Sequence, residues 1–294
     1  MDYSIFIHTP LSLLPILALI VLTISVWFTR SPKVLGMLIG VYILTTLIGH
    51  RMTIASWVFM AVLLGAYALF YYSKHWGIKC IGLIGFVLSS AVVLLNHTPG
   101  VQNWEIVSHH LLSPDSIPWS LFLNYDAPLI GLWVLVLSVQ LINSKAEWKR
   151  VIKKIIPITI LVILFMIPAS HLFGYVHFAP KRTNIFFIWG LSNLLFTCLT
   201  EEALFRVFIQ KNLIQWLSGI RYGQYIGIVI ASACFGLAHF AGGPVYIVLA
   251  GIAGLFYGYA YYSTGRIEAS ILTHFLLNAT HFLLFSYPAL AGSI

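Results

Sequence analysis

Long apolar runs follow one another along almost the whole chain, separated by short polar segments. A helix that crosses a bilayer needs roughly 20 mostly apolar residues. The pattern therefore predicts an all-α polytopic transmembrane helical bundle of about ten spans. The count falls to eight if the short second run and the glycine-interrupted eighth run do not span. The predicted spans are 11–28, 34–49, 54–72, 78–95, 119–142, 155–172, 185–209, 224–240, 245–262 and 267–286.

The composition agrees with an integral membrane protein. Of 294 residues, 60% are hydrophobic and 8% are charged, whereas a soluble domain carries about 25% charged residues. Twelve of the 16 Lys and Arg residues fall in alternate loops, which become cytoplasmic if the N-terminus lies outside. This asymmetry favours a multi-pass protein of the cell membrane with both termini outside. We attribute the net charge of +8 to those loops and expect no nucleic-acid partner.

The most basic stretch, SKAEWKRVIKK at 144–154, marks a predicted boundary. It divides the chain into an N-terminal transmembrane helical module, 1–150, and a C-terminal group of five helices, 151–294. The longest predicted loop, 96–118, contains no Lys or Arg. We therefore place this loop outside, where its length allows a short surface helix.

Ionisable residues inside spanning helices are rare and usually functional. The first group is TEEALFR, with Glu201, Glu202 and Arg206. Glu202 and Arg206 lie at positions i and i+4, which suits an ion pair. Glu201 lies about 100° further round the helix and faces a different neighbour. The alternative is an interfacial helix end, at which Arg206 extends towards water.

Two further helices carry polar residues. His239 ends the run SACFGLAHF, just before Gly242, Gly243 and Pro244 break the helix. A single histidine at a helix end is also typical of a membrane interface. His274 and Asn278 lie one turn apart and share a face, which also suits hydrogen bonding between helices. Taken together, the three groups supply a general base, hydrogen-bond donors and an oxyanion stabiliser, and predict an active site in the C-terminal helices.

The order of the three motifs resembles the CPBP family of intramembrane proteases, which includes type II CAAX prenyl endopeptidases and bacteriocin-processing (Abi) proteins. The resemblance covers about 185–285. It implies an intramembrane endopeptidase in which Glu202 and Arg206 brace the site. The motifs are EEALFR at 201–206, FGLAH at 235–239 and HFLLN at 274–278.

The resemblance also implies a catalytic role for four residues. Glu201 would activate a water for attack on a peptide carbonyl, and His239 would help to position that water. His274 and Asn278 would stabilise the oxyanion. The expected partners are the bilayer and a peptide or protein substrate, and whether that substrate carries a lipid is left open.

Metal dependence has two readings. Glu201, His239 and His274 form a plausible zinc set with an open fourth position. However, the chain has no HExxH motif, and the three residues come from three helices. We therefore expect no cofactor and keep a zinc-dependent protease as the alternative.

Two other functions fit parts of the pattern. A non-proteolytic immunity or scaffold protein on the same fold would retain these helices without using the motifs. A transporter would use the polar residues as an ion relay, but it predicts matching halves, and the chain shows no such repeat.

One feature of the predicted map conflicts with a shared site. Glu201 and His274 fall towards the cytoplasmic side, whereas His239 falls towards the outer end of the span 224–240. The mismatch amounts to about 10 Å at 1.5 Å per residue. We expect this helix to begin outside the bilayer, around Arg221 or earlier.

Overall fold

The computed structural model describes residues 10–293 of the chain. These residues form ten helices longer than one turn, a 3₁₀ turn and a pair of strands. The helices are α1 (Pro10–Ser25), α2 (Pro32–Ile48), α3 (Ile54–Tyr72), α4 (Trp76–Leu94), α5 (Ala127–Ser138), α6 (Lys145–Leu172), α7 (185–216), α8 (Gly223–Ala238), α9 (Gly243–Thr264) and α10 (Ile267–Leu284). The strands are β1 (Trp104–His110) and β2 (Trp119–Leu123), and the 3₁₀ turn is Phe240–Gly242.

The helices confirm a helical integral membrane protein. Within the described residues, five helices are long and apolar enough to cross a membrane: α3, α4, α6, α9 (with the 3₁₀ turn before it) and α10. Each predicted span overlaps one of the ten helices. Helix α5 has only 12 residues, about 18 Å, against a hydrocarbon core of about 30 Å. The number of spans therefore stays a prediction.

The region between α4 and α5 differs from the prediction. Residues 119–123 form strand β2 rather than the start of a helix, and the preceding loop contains β1 rather than a surface helix. The two strands pair with each other. In β1, Trp104 and Ile106 are buried on one face, which is the two-residue period of a half-buried strand. The fifth helix is correspondingly shorter.

Helix α6 begins ten residues before the predicted span. The Ser144 hydroxyl accepts a hydrogen bond from the Glu147 amide at 3.2 Å, which caps the first turn. Glu147 in turn accepts a hydrogen bond from Arg266 Nε at 2.7 Å. The segment 145–154 is too basic to be predicted as part of a membrane span. It is nevertheless helical, because Ser144 caps its first turn and Glu147 binds Arg266, which precedes α10.

The chain divides into two compact units. One contains the residues up to Ile106 together with Phe122–Val136, and the other contains Val107–Leu121 and everything from Leu137 onward. Inside the second unit, apolar residues of α6, α9 and α10 share a core cluster with Ile142. The predicted domains, 1–150 and 151–294, stay a prediction.

Helix α7 is continuous over 185–216 and is interrupted by two π-helical stretches, Asn193–Cys198 and Ala203–Gln210. These wide turns lie on either side of the two glutamates, and such turns are frequent at functional sites. The predicted span ended at 209 because the residues that follow are polar. The longer helix changes the depth at which Glu201 lies.

The hairpin of α7 and α8 removes the expected depth mismatch. Glu201 lies 15 residues before the end of α7 at 216, and His239 lies 16 residues after the start of α8 at Gly223. At 1.5 Å per residue these distances are about 22 and 24 Å. The two side chains therefore reach the same level of the hairpin without a shift of α8.

Lys181, in the segment between α6 and α7, caps the C-terminal end of α10. Its ammonium group donates to the carbonyl oxygens of Phe282, at 2.8 Å, and Phe285. These carbonyls belong to the last turn of the helix or follow it, where no intrahelical donor reaches them. Burial lowers the pKa of Lys181 to about 8, because desolvation disfavours its charged form.

Candidate active site

A buried ion pair underlies the site. Arg206 Nε donates to Glu202 Oε2 at 2.8 Å, and both side chains are fully buried. The other carboxylate oxygen, Oε1, lies 2.9 Å from Nδ1 of His274. One carboxylate therefore holds both an arginine of its own helix and a histidine of α10. The two contacts offset the cost of burying Glu202.

Glu201 points to a different place. Its Oε2 atom lies 3.9 Å from Nε2 of His239 and 3.9 Å from Nε2 of His274. Oε2 is buried and makes no hydrogen bond within the described residues. A distance of 3.9 Å is too long for a direct hydrogen bond, and contacts of that length are commonly bridged by one water. The arrangement suits a water held by one carboxylate and two imidazoles.

Each of the two histidine rings is oriented by a partner of its Nδ1 atom. Nδ1 of His239 lies 2.8 Å from the carbonyl oxygen of Phe235, and since a carbonyl only accepts, Nδ1 donates. Nδ1 of His274 faces the Glu202 carboxylate. Each ring thus directs Nε2 towards Glu201, because the partner of one nitrogen fixes the role of the other.

Asn278 is held by two residues of α7. Its Nδ2 donates to Asn193 Oδ1 at 3.3 Å and lies 3.8 Å from the sulfur of Cys198. The Cys198 thiol also donates to Asn193 Oδ1, at 3.3 Å. Asn193 and Cys198 together fix which way the Asn278 amide faces.

Aromatic rings enclose the polar groups. Tyr257 stacks on His274 with ring centres 4.4 Å apart. Phe235 meets the same histidine edge to face at 5.7 Å and lies 5.1 Å from the Arg206 guanidinium carbon. Rings at these distances exclude water and stabilise the cation. The pair of Glu202 and Arg206 is thus shielded from water and keeps its contact of 2.8 Å.

A cavity opens beside these residues. Its volume is about 70 Å³, counted as the space open to the centre of a water molecule. A single water needs about 10–15 Å³ of such space, so the cavity has room for several waters or part of a substrate. Its walls combine apolar side chains of α6 and α9 with polar residues that include His239, Tyr246, His274 and Asn278.

Part of the chain, from the start of α7 into α10, matches a known protein family. Residues 183–280 match the family model described as type II CAAX prenyl endopeptidase Rce1-like. We call residues 183–280, which match this model, the Rce1-like segment. The match covers about a third of the chain and confirms the resemblance inferred from the three motifs. No curated protein and no solved structure gave a match.

The Rce1-like segment brings the predicted site residues together. Glu201, His239 and His274 meet around one carboxylate oxygen, and Glu202 and Arg206 pair behind them. Asn278 lies on the wall of the same cavity. Their catalytic roles stay predictions.

Three residues of the site were missed from the sequence. Tyr246 and Tyr257 line the cavity, and Asn193 holds Asn278. A tyrosine in an apolar run carries no signal of its own, because aromatic residues are common in membrane helices. Asn193 was the one detectable case, since an amide inside the Rce1-like segment is costly without a partner.

The three predicted zinc ligands were tested against the geometry of the Rce1-like segment. Ligand atoms about 2.0 Å from a tetrahedral zinc are about 3.3 Å apart, whereas Glu201 Oε2 lies 3.9 Å from each imidazole nitrogen. Within residues 10–293, no group of three His, Cys, Asp or Glu side chains meets the geometry for a metal ion. Glu201, His239 and His274 are therefore not spaced as zinc ligands in this arrangement, and whether the protein uses zinc stays a prediction.

Proposed function

We propose that this protein is an intramembrane endopeptidase that hydrolyses a peptide bond of a membrane-associated substrate. The observation that supports it most is the position of Glu201. A carboxylate oxygen without a hydrogen bond lies 3.9 Å from two imidazole nitrogens, beside a cavity with room for water. Residues 183–280 match a family described as endopeptidases, and the family supplies the reaction class.

In the proposed reaction, Glu201 takes a proton from a water that His239 orients. The resulting hydroxide attacks the carbonyl carbon of the scissile bond, and the carbonyl oxygen becomes an oxyanion. Asn278 donates a hydrogen bond to that oxygen. His274 donates one from Nε2 as the imidazolium, because its Nδ1–H is held by Glu202. Glu201 then passes its proton to the leaving amine, and the C–N bond breaks. Exclusion of bulk water by the surrounding helices strengthens each of these interactions.

Glu202 and Arg206 support this reaction without touching the substrate. The Glu202 carboxylate fixes Nδ1 of His274 at 2.9 Å, and Arg206 compensates the carboxylate charge at 2.8 Å. Arg206, Glu202 and His274 therefore form a series of contacts. In the proposed reaction, the last of these residues faces the scissile bond. Such preorganisation avoids reorganisation during the reaction.

We place the protein in the cell membrane with both termini outside, because the basic residues concentrate in alternate loops. The family description names CAAX prenyl substrates. Matched peptides with and without a prenyl group test whether this chain shares that preference. Cleavage of the prenylated peptide alone would assign a lipidated substrate, and equal cleavage of both would assign an unmodified one.

The decisive experiment replaces Glu201 with Gln in the full-length protein in detergent or liposomes. Cleavage of a fluorogenic peptide should fall at least 1,000-fold, because the amide cannot accept the proton. Glu105→Gln, in strand β1 and outside the site, is the matched control and should cleave at the wild-type rate. Wild-type turnover in Glu201→Gln would end the glutamate mechanism.

Two further measurements separate the alternatives. Loss of activity with a strong chelator, restored by zinc, would replace the metal-free mechanism with the zinc-dependent one. A wild-type cellular phenotype in the Glu201, His239 and His274 variants would favour a non-proteolytic immunity or scaffold role on the same fold.

A further inference from the structure

Tyr246 is a residue of the cavity wall that the mechanism above does not use. It lies in the first turn of α9 and lines the same cavity as His239, His274 and Asn278. The centre of its ring is 5.4 Å from the His239 ring, with the planes at 77°. This is an edge-to-face contact, so the phenol lies directly beside the histidine assigned to the attacking water.

The ring of Tyr246 is fixed by two close contacts. Tyr175 stacks on it with ring centres 5.3 Å apart and planes 4° apart. Gly242 also contacts this side chain closely, since a Cβ atom added there would lie 2.3 Å from Cδ1 of Tyr246. The ring therefore has one position, and a fixed ring directs its hydroxyl at little entropic cost.

The hydroxyl of Tyr246 is available to a ligand. Tyr246 lines the cavity together with His239 and Asn278, so a molecule in that space can reach its side chain. Its ring contacts His239, whose Nε2 lies 3.9 Å from Oε2 of Glu201. Tyrosine hydroxyls inside proteins usually have a hydrogen-bond partner. Beside the catalytic carboxylate, a partner that arrives with the substrate meets this requirement.

The local field favours negative charge at the same point. Helix α9 has 22 residues, and its N-cap, Gly242, makes no side-chain capping hydrogen bond. The first-turn amides and the helix dipole give this end a partial positive charge. An oxyanion that forms beside Tyr246 would therefore meet a hydroxyl donor and a positive helix end.

We propose that the Tyr246 hydroxyl is a further catalytic group, which donates a hydrogen bond to the oxyanion of the tetrahedral intermediate alongside Asn278. This inference rests on the proposed endopeptidase function. Asn278 and His274 approach from α10 and Tyr246 from α9, so the donors would hold the oxygen from two helices. Proton transfer stays with Glu201.

The test is Tyr246→Phe in the full-length protein. Phenylalanine keeps the contacts with Tyr175 and His239 and removes the hydroxyl alone. We expect kcat to fall about 100-fold with KM within twofold, as for loss of one oxyanion donor. A peptide phosphinate that mimics the tetrahedral intermediate should bind weaker by a similar factor, whereas an uncleaved peptide should bind equally well. Tyr259→Phe, half exposed on the same helix, is the control and should behave as wild type.

A second variant tests the position of the ring. Gly242→Ala should displace Tyr246 and lower kcat by a similar factor, with an unfolding temperature near that of the wild type. Wild-type kcat and phosphinate affinity in Tyr246→Phe would overturn this inference, provided that Glu201→Gln is inactive. If Glu201→Gln is itself active, the proposed function fails first. The two failures are therefore distinguishable.

Discussion

Replacement of Arg206 by Met tests whether the buried ion pair holds the site together. The change removes the guanidinium that lies 2.8 Å from Glu202 and leaves that carboxylate fully buried with His274 as its partner. Breaking a buried pair from one side costs about 3–5 kcal/mol. The contact of Arg206 with Phe235, at 5.1 Å, adds up to about 2 kcal/mol when the cation is desolvated.

One observation reduces this cost. Within residues 10–293, Nη1 and Nη2 of Arg206 are buried without a hydrogen bond, and buried donors without partners cost about 1–3 kcal/mol each. Substitution by Met removes these unpaired donors as well as the ion pair, so part of the lost stability is recovered. We therefore expect a net loss near 3 kcal/mol, which lowers the unfolding temperature by roughly 6–12 °C.

The double variant Glu202→Gln, Arg206→Met separates stability from activity. It removes both charges, so thermal unfolding in detergent should return most of the way to wild type, with a coupling of about 2–3 kcal/mol. Peptide cleavage should stay low, because His274 has lost its carboxylate. Arg221→Met, at an exposed arginine, controls for loss of a positive charge. Additive single effects, or a wild-type unfolding temperature in Arg206→Met, would refute the reasoning.

Three further predictions follow from individual contacts. Asn193→Ala releases the Asn278 amide from its 3.3 Å hydrogen bond and should lower kcat about tenfold with KM unchanged; an unchanged kcat would show that Asn278 needs no such support. Gly236→Ala would place a Cβ 2.5 Å from a carbonyl oxygen of the neighbouring helix, so it should force α8 and α9 apart and lower both the unfolding temperature and cleavage. Gly40→Ala, with open space around it, should lower neither. Burial lowers the pKa of Lys181 to about 8 in the folded protein, from 10.5, so between these values the unfolded chain binds more protons and stability should rise with pH. Lys181→Met should remove that part of the pH dependence of unfolding, and an identical dependence in the variant would contradict the assignment.

The helices were predictable because burial in lipid requires long apolar runs. The prediction is wrong where specific contacts, rather than burial in lipid, determine the secondary structure. Residues 145–154 are too basic to be read as part of a span, yet Ser144 caps them and Arg266 binds Glu147. Strand β2 was read as helix because a short strand followed by a short helix has the same composition as one apolar run.

The polar part of the site was predictable for a related reason. Carboxylates, imidazoles and amides are costly in a membrane helix, so Glu201, His239 and His274 stand out from their neighbours. The tyrosines of the cavity do not, since an aromatic residue is ordinary there. The π-helical stretches of α7 were also unpredictable. The residue types do not specify whether a backbone carbonyl accepts a hydrogen bond from the amide four or five positions further along the chain.

Those π-helical stretches constrain how the chain can change in length. A π turn accommodates a residue that an α-helix would not, and each α-helical residue advances the helix by about 100°. Deletion of one residue within 203–210 would let the stretch close into ordinary α-helix. The segment up to 216 would then keep close to its present direction. Deletion of one residue from an α-helical part of α7 would instead turn the residues beyond it by about 100°, although every residue of the three motifs would remain. Helix α7 therefore tolerates a change in length at its wide turns and not elsewhere.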